Sequence, residues 1–429
     1  MRKAHVSQRA HVRTAPKMGN GRWGSLMGTV RFLLALCVVV THSPGSAILG
    51  FSLLNGITAV QCFYVISGFL ITMVLNQRAE YQNLRNFYLS RYLRLWPTYA
   101  VVALLSLIFF NRTAMFGALP ALLDWPGLAF VAFSNLTLFF QDWFLFARFD
   151  HGHLVPTANF SEWPGAQVNS FLLVPQCWSI GVELTFYAIA PFVCRRWWSL
   201  AALAIFGGVA RAMIAKLFPP FAGPWLYRFA PSEMLLFGSG GLAYFISHAI
   251  CPRYPEAFKS LSYIALGCFS AVVFGLVPSA WLISNSATLN LMLVPVLALL
   301  VVSAGTLFYG MRDNKWDQYI GELSYPMYVS HIFVMSIIVT YLPMELRTGN
   351  LAYVVLTITF SVLLYVGVTI PADALRKRFG ARVQTGPVSI WPKARVDGRA
   401  DAHEDEADQK ITAGDLVVRV QQYNAITST

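Results

Sequence analysis

The sequence predicts an all-α integral membrane protein, a bundle of about ten transmembrane helices with both termini in the cytoplasm. Hydrophobic residues make up 56% of the 429 residues and charged residues only 12%, a composition far from that of soluble domains. The hydrophobic residues form long blocks, and arginines and lysines lie at the block edges. The net charge of +12 therefore indicates topology and contact with the lipid bilayer, and no nucleic-acid partner is expected.

Ten blocks are close to the length that an α-helix needs to cross the hydrocarbon core. Basic residues, including the Arg195 and Arg196 pair, fall on alternate connections between these blocks. Because cytoplasmic loops carry the excess of Lys and Arg, this alternation places both termini on the cytoplasmic side. In chain order the blocks cover residues 26–43, 56–75, 95–110, 179–194, 198–215, 232–249, 261–283, 287–311, 319–342 and 350–372.

Another apolar stretch, residues 128–146, lies in the long connection between the third and fourth blocks. A full span here would move Arg195 and Arg196 to the outside, against the distribution of the other basic residues. We therefore expect this stretch to be a re-entrant or interfacial element on the extracytoplasmic side.

Three regions follow from this pattern. Residues 1–25 form a basic cytoplasmic segment, 26–372 the transmembrane domain, and 373–429 a cytoplasmic tail expected to be disordered, since it mixes charges without hydrophobic periodicity. The first block is expected to be a retained helix, because many spans follow it and no small-residue cleavage site does. The six cysteines show no disulfide or metal-ligand spacing and the DHGH stretch is a poor metal site, so no metal is expected.

Two ionisable side chains lie at opposite ends of the first block. Arg31 and His42 are eleven residues apart. On a helix this separation is three turns and about 16 Å, so both lie roughly on one face at different membrane depths. Ionisable residues in spans are costly and commonly functional. Alternatively, Arg31 is an interfacial anchor and His42 a helix-end group with local hydrogen bonds.

Two further ionisable residues lie in later blocks. Glu183, in CWSIGVELTFYAIAP, has no basic residue nearby in sequence, so His42 from another helix is a natural partner. His331, in SYPMYVSHIFV, lies near the middle of its block. A lone histidine at this depth is more often a hydrogen-bonded packing residue than a catalyst.

Two short motifs can serve ligand binding or packing. Arg91 and Arg94 lie three residues apart on one helical face, in the connection before the third block, where guanidinium groups can hold phosphates or anionic lipid headgroups. Ser67 and Gly68 place two small residues in an aromatic-rich block. Small residues there allow a ligand chain or a second helix to approach closely.

In this order the residues resemble the motifs of the membrane acyltransferase-3 family, bacterial O-acetyltransferases that modify lipopolysaccharide, exopolysaccharide and lipo-chitooligosaccharide signals. The resemblance covers about residues 26–372. Leu184 stands where members often have a second acidic residue, and the hydrolase-like domain of some relatives is not expected here. The matching positions are Arg31 with His42, Ser67-Gly68-Phe69, Arg91 with Arg94 and Pro97, Trp178-Ser179 with Val182-Glu183 and Phe186-Tyr187, and Ser324-Tyr325 with Tyr328 and His331.

The resemblance implies a multi-pass protein of the cell inner membrane. Its implied donor is cytoplasmic acyl-CoA, usually acetyl-CoA, and its implied acceptor is a hydroxyl of an extracytoplasmic glycan or glycolipid. Arg91 and Arg94 would hold the donor's phosphates, with Arg31 at the thioester region or a phosphate, and the pantetheine arm would pass the motif Ser67-Gly68-Phe69.

The same reading assigns chemical roles. His42 is expected to be the general base, because imidazole titrates near neutral pH, and Glu183 is expected to orient it. A covalent acyl-histidine is an alternative. Candidate contacts to substrate or to the developing oxyanion are Trp178, Ser179, Tyr325 and His331.

Two other functional classes suit a helical bundle with internal Arg, His and Glu. A proton-coupled secondary transporter would show substrate flux without consumption of acetyl-CoA, and the sequence lacks the two-fold repeat typical of such carriers. A non-catalytic membrane sensor that binds glycan or lipid would show neither flux nor transfer.

Overall fold

The computed structural model describes residues 27–43, 48, 53–158, 168–217, 222–274, 293–311, 314–342 and 350–383. The described chain is mostly helical, with one two-stranded antiparallel sheet. The strands are β1 (Ala147–Asp150) and β2 (His153–Pro156). The helices are α1 (Gly28–Thr41), α2 (Gly56–Gln77), α3 (Leu84–Ser106), α4 (Leu119–Leu122), α5 (Trp125–Thr137), α6 (Trp178–Val193), α7 (Trp197–Leu217), α8 (Ala222–Tyr227), α9 (Ala230–Ile250), α10 (Pro255–Val273), α11 (Leu293–Met311), α12 (Lys315–Tyr341), α13 (Asn350–Leu364) and α14 (Ile370–Val383).

Several helices are long and apolar enough to cross a membrane, so the chain is a multi-pass helical membrane protein. Within the described ranges there are six, at Gly56–Gln77, Leu84–Asn111, Trp197–Leu217, Glu256–Val273, Lys315–Tyr341 and Asn350–Arg376. Each of the ten predicted blocks overlaps a helix, but α1 has 14 residues and α6 has 16. The count of ten spans and the side of each terminus therefore stay predictions.

The third span starts earlier than predicted, and this moves two arginines into it. Helix α3 begins at Leu84, where the side chain of Asn83 accepts a hydrogen bond from the backbone N–H of Arg85. It continues through Pro97, since a membrane helix tolerates proline when neighbouring groups satisfy the backbone. The prediction that Arg91 and Arg94 lie in a connection was wrong, because the block was read only from its apolar residues.

Close helix packing explains the glycines of α2 and α9. A Cβ atom added to Gly68 would lie 2.1 Å from the carbonyl oxygen of Phe237, and one added to Gly240 would lie 1.9 Å from that of Val65. Both distances are far inside van der Waals contact. The two backbones thus touch through glycine, as is common for membrane helices.

A buried carboxylate joins α12 to the start of α1. Asp317 accepts hydrogen bonds from the backbone N–H groups of Gly28 and Thr29, at 2.9 and 2.7 Å, and from the Thr29 hydroxyl at 2.8 Å. The first N–H groups of a helix have no partner within it, so this side chain from another helix satisfies them. This contact fixes α1, which carries Arg31 and ends beside His42.

The long connection after α3 contains no helix of spanning length in its described part. Helix α5 has 13 residues, followed by a short 3₁₀ helix and the β1–β2 hairpin. This geometry agrees with the predicted non-spanning element at 128–146. At the other end, α14 reaches Val383, beyond the predicted boundary at residue 372. The predicted segment 1–25 and the tail after 383 lie outside the described residues.

Candidate functional site

A cavity of about 880 Å³, including its open mouth, lies among α1, α2, α3, α6 and α12. Seven predicted site residues contribute to its wall: Arg31, Ser67, Arg91, Arg94, Ser179, Glu183 and Tyr325. Residues that sequence reasoning did not single out as site residues complete it, among them Tyr64, Tyr187, Ser324 and Tyr328. The structure thus brings together most of the predicted donor-binding side chains.

Three guanidinium groups give this cavity its positive charge. Arg31 reaches it from α1, whereas Arg91 and Arg94 reach it from one face of α3. The guanidinium carbon of Arg91 lies 5.6 Å from the centre of the Tyr81 ring, and Arg91 Nε is buried without a hydrogen-bond partner among the described residues. An apolar wall with several fixed cations is suited to an anionic ligand.

One carboxylate faces the arginines within the cavity. Glu183 Oε1 accepts hydrogen bonds from the Ser67 hydroxyl at 2.6 Å and from the Tyr187 hydroxyl at 2.5 Å. It also interacts electrostatically with Arg31 and Arg94. The predicted pairing of Glu183 with His42 was wrong, because Glu183 faces α2 and the arginine cluster.

Glu322 is a second carboxylate beside the cavity, and sequence reasoning missed it. It interacts electrostatically with Arg31 and with Arg94. Its signal in the sequence is its position in GELSYPMY, three residues before Tyr325, which places the two on one face of α12. Tyr187 had a similar signal, because it follows Glu183 by four residues on α6.

The two predicted histidines meet each other. The ring centres of His42 and His331 are 4.9 Å apart. His42 is exposed and its Nδ1 lies 2.8 Å from the carbonyl oxygen of Val38, while the buried His331 Nδ1 lies 2.6 Å from that of Tyr328. In the neutral tautomer these contacts select, Nδ1–H donates in each ring, which leaves each Nε2 as the proton acceptor.

The histidine pair lies beyond one end of the cavity, and neither ring forms part of its wall. The Tyr328 ring, which lines the cavity, is 5.8 Å from the His331 ring. The order in space is therefore cavity, Tyr328, His331 and His42. His331 Nε2 is buried and makes no hydrogen bond within the described part of the chain.

The Ser67-Gly68-Phe69 motif divides between two faces of α2. Ser67 faces the cavity, but Gly68 contacts the backbone of α9. Phe69 is buried against the rings of Tyr244 and Phe308, at 5.9 and 5.4 Å. Gly68 and Phe69 thus pack helices and do not line the cavity, and their expected role in donor binding stays a prediction.

The candidate oxyanion donors differ in what they already bind. The Tyr325 hydroxyl donates to the carbonyl oxygen of Leu95 at 2.7 Å, so its proton is committed. Ser179 Oγ lies 2.6 Å from the Tyr328 hydroxyl, which donates to the carbonyl oxygen of Gln176 at 2.7 Å. Trp178 does not line the cavity, because the guanidinium group of Arg228 lies over its ring at 4.7 Å.

A family model described as an acyltransferase domain matches residues 27–366, which include every side chain of the cavity and both histidines. The chain belongs to the acyltransferase-3 family. No curated protein and no solved structure matches it. The predicted family is confirmed, and the protein is a membrane acyltransferase with several transmembrane helices.

Proposed function

We propose that this acyltransferase moves a short acyl group, acetyl or a similar one, from cytoplasmic acyl-CoA to a hydroxyl of an extracytoplasmic glycan or glycolipid. Exopolysaccharide, lipopolysaccharide and lipo-oligosaccharide are the acceptor classes, and the cell inner membrane is the location. The observation that carries the proposal is the cavity of the family domain, where three arginine side chains meet beside Glu183.

The donor side of the proposal rests on the charge of the cavity wall. Coenzyme A carries several phosphate charges, and arginine holds phosphates through charge-assisted, often bidentate hydrogen bonds. Arg31, Arg91 and Arg94 supply these donors, and Arg91 Nε has no other partner among the described residues. The thin pantetheine arm then extends past Ser67 toward Tyr328.

The acceptor side rests on the exposed imidazole of His42. Its Nε2 takes the proton of the acceptor hydroxyl while that oxygen attacks the thioester carbonyl carbon. The carbon–sulfur bond then breaks, the new carbon–oxygen ester bond remains, and the coenzyme thiolate takes the proton from the imidazolium. The products are the acylated glycan and free coenzyme A, so atoms and charge balance.

The test uses the full chain in nanodiscs with acetyl-CoA labelled in its acetyl group. We expect label to appear on a surface glycan as a base-labile ester, with one free coenzyme A formed for each ester. Succinyl-CoA in a parallel reaction identifies the acyl group. Consumption of acetyl-CoA by hydrolysis alone, or glycan movement across a vesicle membrane without acetyl-CoA consumption, would contradict the proposal.

A matched experiment in cells addresses the acceptor. The O-acetyl content of exopolysaccharide, lipopolysaccharide and lipo-oligosaccharide is compared between a deletion strain and its parent. We expect one class to lose O-acetyl groups and to regain them when the gene is restored. Unchanged acetylation in all three classes would contradict the proposed acceptors.

A further inference from the structure

An arginine stacked on aromatic rings lies next to the cavity, outside the donor-binding cluster. The guanidinium carbon of Arg228 lies 4.7 Å from the ring centre of Trp178 and 5.6 Å from that of Tyr227. The two rings contact each other edge to face, at 5.7 Å between centres. We call these three residues the Arg228 platform.

Hydrogen bonds and ring contacts connect the Arg228 platform to its neighbours. Helix α8 ends at Tyr227, and the backbone N–H of Arg228 bonds to the carbonyl oxygen of Pro224. The Trp225 indole contacts the Phe146 ring in a tilted arrangement, with 4.1 Å between ring centres, and donates to the carbonyl oxygen of Ala158 at 3.0 Å. The turn that carries Arg228 is therefore fixed to the long connection that precedes α6.

The position of the platform points to the acceptor and away from the donor. Trp178 is the first residue of α6, and Ser179 follows it in the wall of the cavity. Ser179 bonds to Tyr328, which lies beside His331. The platform thus lies at the same end of the cavity as the two histidines, whereas Arg31 belongs to the donor cluster.

The charge of Arg228 is not neutralised by an acidic residue of the described chain. Its guanidinium group lies over the two aromatic rings and interacts electrostatically with Tyr328, and its Nε atom is buried without a hydrogen-bond partner among the described residues. Arg211 provides a contrast, since its Nη2 lies 2.7 Å from Glu233 Oε1. A stacked guanidinium keeps its N–H edge available, and that edge matches the two oxygens of a carboxylate or phosphate.

We propose that the Arg228 platform binds an anionic group, a carboxylate or phosphate, carried by the acceptor glycan. Arg228 would bind the anion, and the rings of Trp178 and Tyr227 would contact the sugar's apolar face. Acidic glycans would then be preferred over neutral ones. The inference rests on the proposed function for the reaction and adds the substrate class.

The test measures glycan binding without any acyl donor. The full chain in phosphatidylcholine nanodiscs is titrated with a glucuronate-containing tetrasaccharide, with its carboxyl-reduced neutral form, and with a phosphate-bearing form. We expect the wild type to bind the acidic forms about tenfold to a hundredfold more tightly, the range for one charge-assisted contact. Arg228→Gln should remove this preference, while Arg112→Gln, which changes an exposed arginine of the connection between α3 and α6, should keep it.

Coenzyme A binding shows whether an Arg228 variant has lost only the platform or has lost its fold. Arg228→Gln should bind coenzyme A like the wild type. If it does not, Arg228→Lys decides. That variant keeps the positive charge but lacks the planar guanidinium group, so its preference for acidic glycans should be weaker than that of the wild type but still measurable. Equal binding of acidic and neutral glycans by the wild type, or a full preference in a folded Arg228 variant, would overturn the inference.

Two further comparisons show whether a negative result counts against the Arg228 platform or against the proposed reaction. Nanodiscs containing phosphatidylglycerol should leave the glycan preference intact, and its loss there would make Arg228 a lipid-headgroup site and overturn the inference. Intact acidic preference without any acetyl transfer would overturn the proposed reaction and support the platform. Transfer to acidic and neutral glycans alike would overturn the platform alone.

Discussion

At the scale of single residues, the sequence identified the side chains of the cavity better than it identified which side chains contact each other. Ionisable groups in apolar blocks led to Arg31 and Glu183, and an arginine pair beside a block led to Arg94. All three line one cavity. The partner of Glu183 was wrong, because sequence gives a residue's depth along its helix but not the rotation of that helix against others. Ser67, on another helix, fills the place predicted for His42.

The same limit explains His331. Because it is a lone histidine in the middle of a block, the sequence favoured a packing role for it. Residue spacing does not show which residue of another helix it contacts. The structure places it 4.9 Å from His42, between that residue and the cavity. The two histidines are close because α1 packs against α12, where Asp317 bonds to the start of α1.

Replacing the exposed histidine tests the general base. His42→Ala should lower acyl transfer by about a hundredfold to ten-thousandfold, the usual contribution of a positioned base, because the imidazole beside it, that of His331, is buried. Coenzyme A binding should stay within about twofold, since His42 does not line the cavity. Transfer rates and equilibrium binding measure the two effects. His248→Ala serves as control, and wild-type transfer in inserted His42→Ala protein would refute this role.

Replacing one cavity arginine tests the donor site. Arg94→Ala should weaken coenzyme A binding by about tenfold to a hundredfold, because one charge-assisted contact to phosphate is lost. Arg85→Ala is the matched control, as Arg85 lies on the same helix but is exposed outside the cavity. Binding is measured by calorimetry in detergent. Equal weakening by both variants would indicate a general charge effect and not a site.

At the scale of elements, helices were predictable and their packing faces were not. Hydrophobic length located α2 and α12, but α3 began eleven residues before its block because Asn83 caps it there. When part of a span is polar because it faces a cavity, its hydropathy is similar to that of a loop. Gly68, in the motif of the second span, contacts another helix. The sequence left this open, because small residues serve ligand binding and helix contacts equally well.

A methyl group at the contact between α2 and α9 tests the packing role of Gly68. The new Cβ would lie 2.1 Å from the carbonyl oxygen of Phe237, so the helices must separate. Gly68→Ala should destabilise the protein by about 1–3 kcal/mol, the usual cost of overpacking. Gly267→Ala is the control, because a Cβ there meets no atom within 4 Å. Thermal unfolding in detergent measures both, and equal melting temperatures would contradict the packing role.

The connection between α3 and α6 contains a group that should make stability depend on pH. Burial raises the pKa of the Asp142 carboxyl to about 7, against about 3.9 in an unfolded chain. The folded state therefore binds the extra proton between these values. Its contribution is complete below about pH 4 and is lost as pH rises through about 7.

Replacing Asp142 with asparagine should remove this dependence. The variant should match the wild type below about pH 4 and unfold at a higher temperature near pH 8, because asparagine stays neutral beside Gly181. Melting curves at the two pH values measure the effect. Asp150→Asn, in the β1–β2 hairpin, should leave the pH dependence unchanged. A variant that is less stable at both pH values would show that Asp142 acts through another interaction.

At the scale of the whole molecule, composition and block length were sufficient to predict a helical membrane protein. The distribution of basic residues also predicted ten spans and cytoplasmic termini, and both stay predictions. Six described helices meet the length and hydropathy of a span, and α1 and α6 are shorter. The bilayer thins around a hydrophobic stretch that is shorter than its hydrocarbon core, so a helix below the usual length can also cross it.

Cysteine labelling in right-side-out membrane vesicles tests the topology on which the proposed reaction depends. In a chain whose six native cysteines are replaced, Arg112→Cys should react with a membrane-impermeant maleimide in sealed vesicles, because its connection is predicted to be extracytoplasmic. Glu256→Cys, exposed at the start of α10, should react only after permeabilisation. The opposite pattern would place His42 on the cytoplasmic side with the donor. A glycan acceptor outside the membrane would then be incompatible with this site.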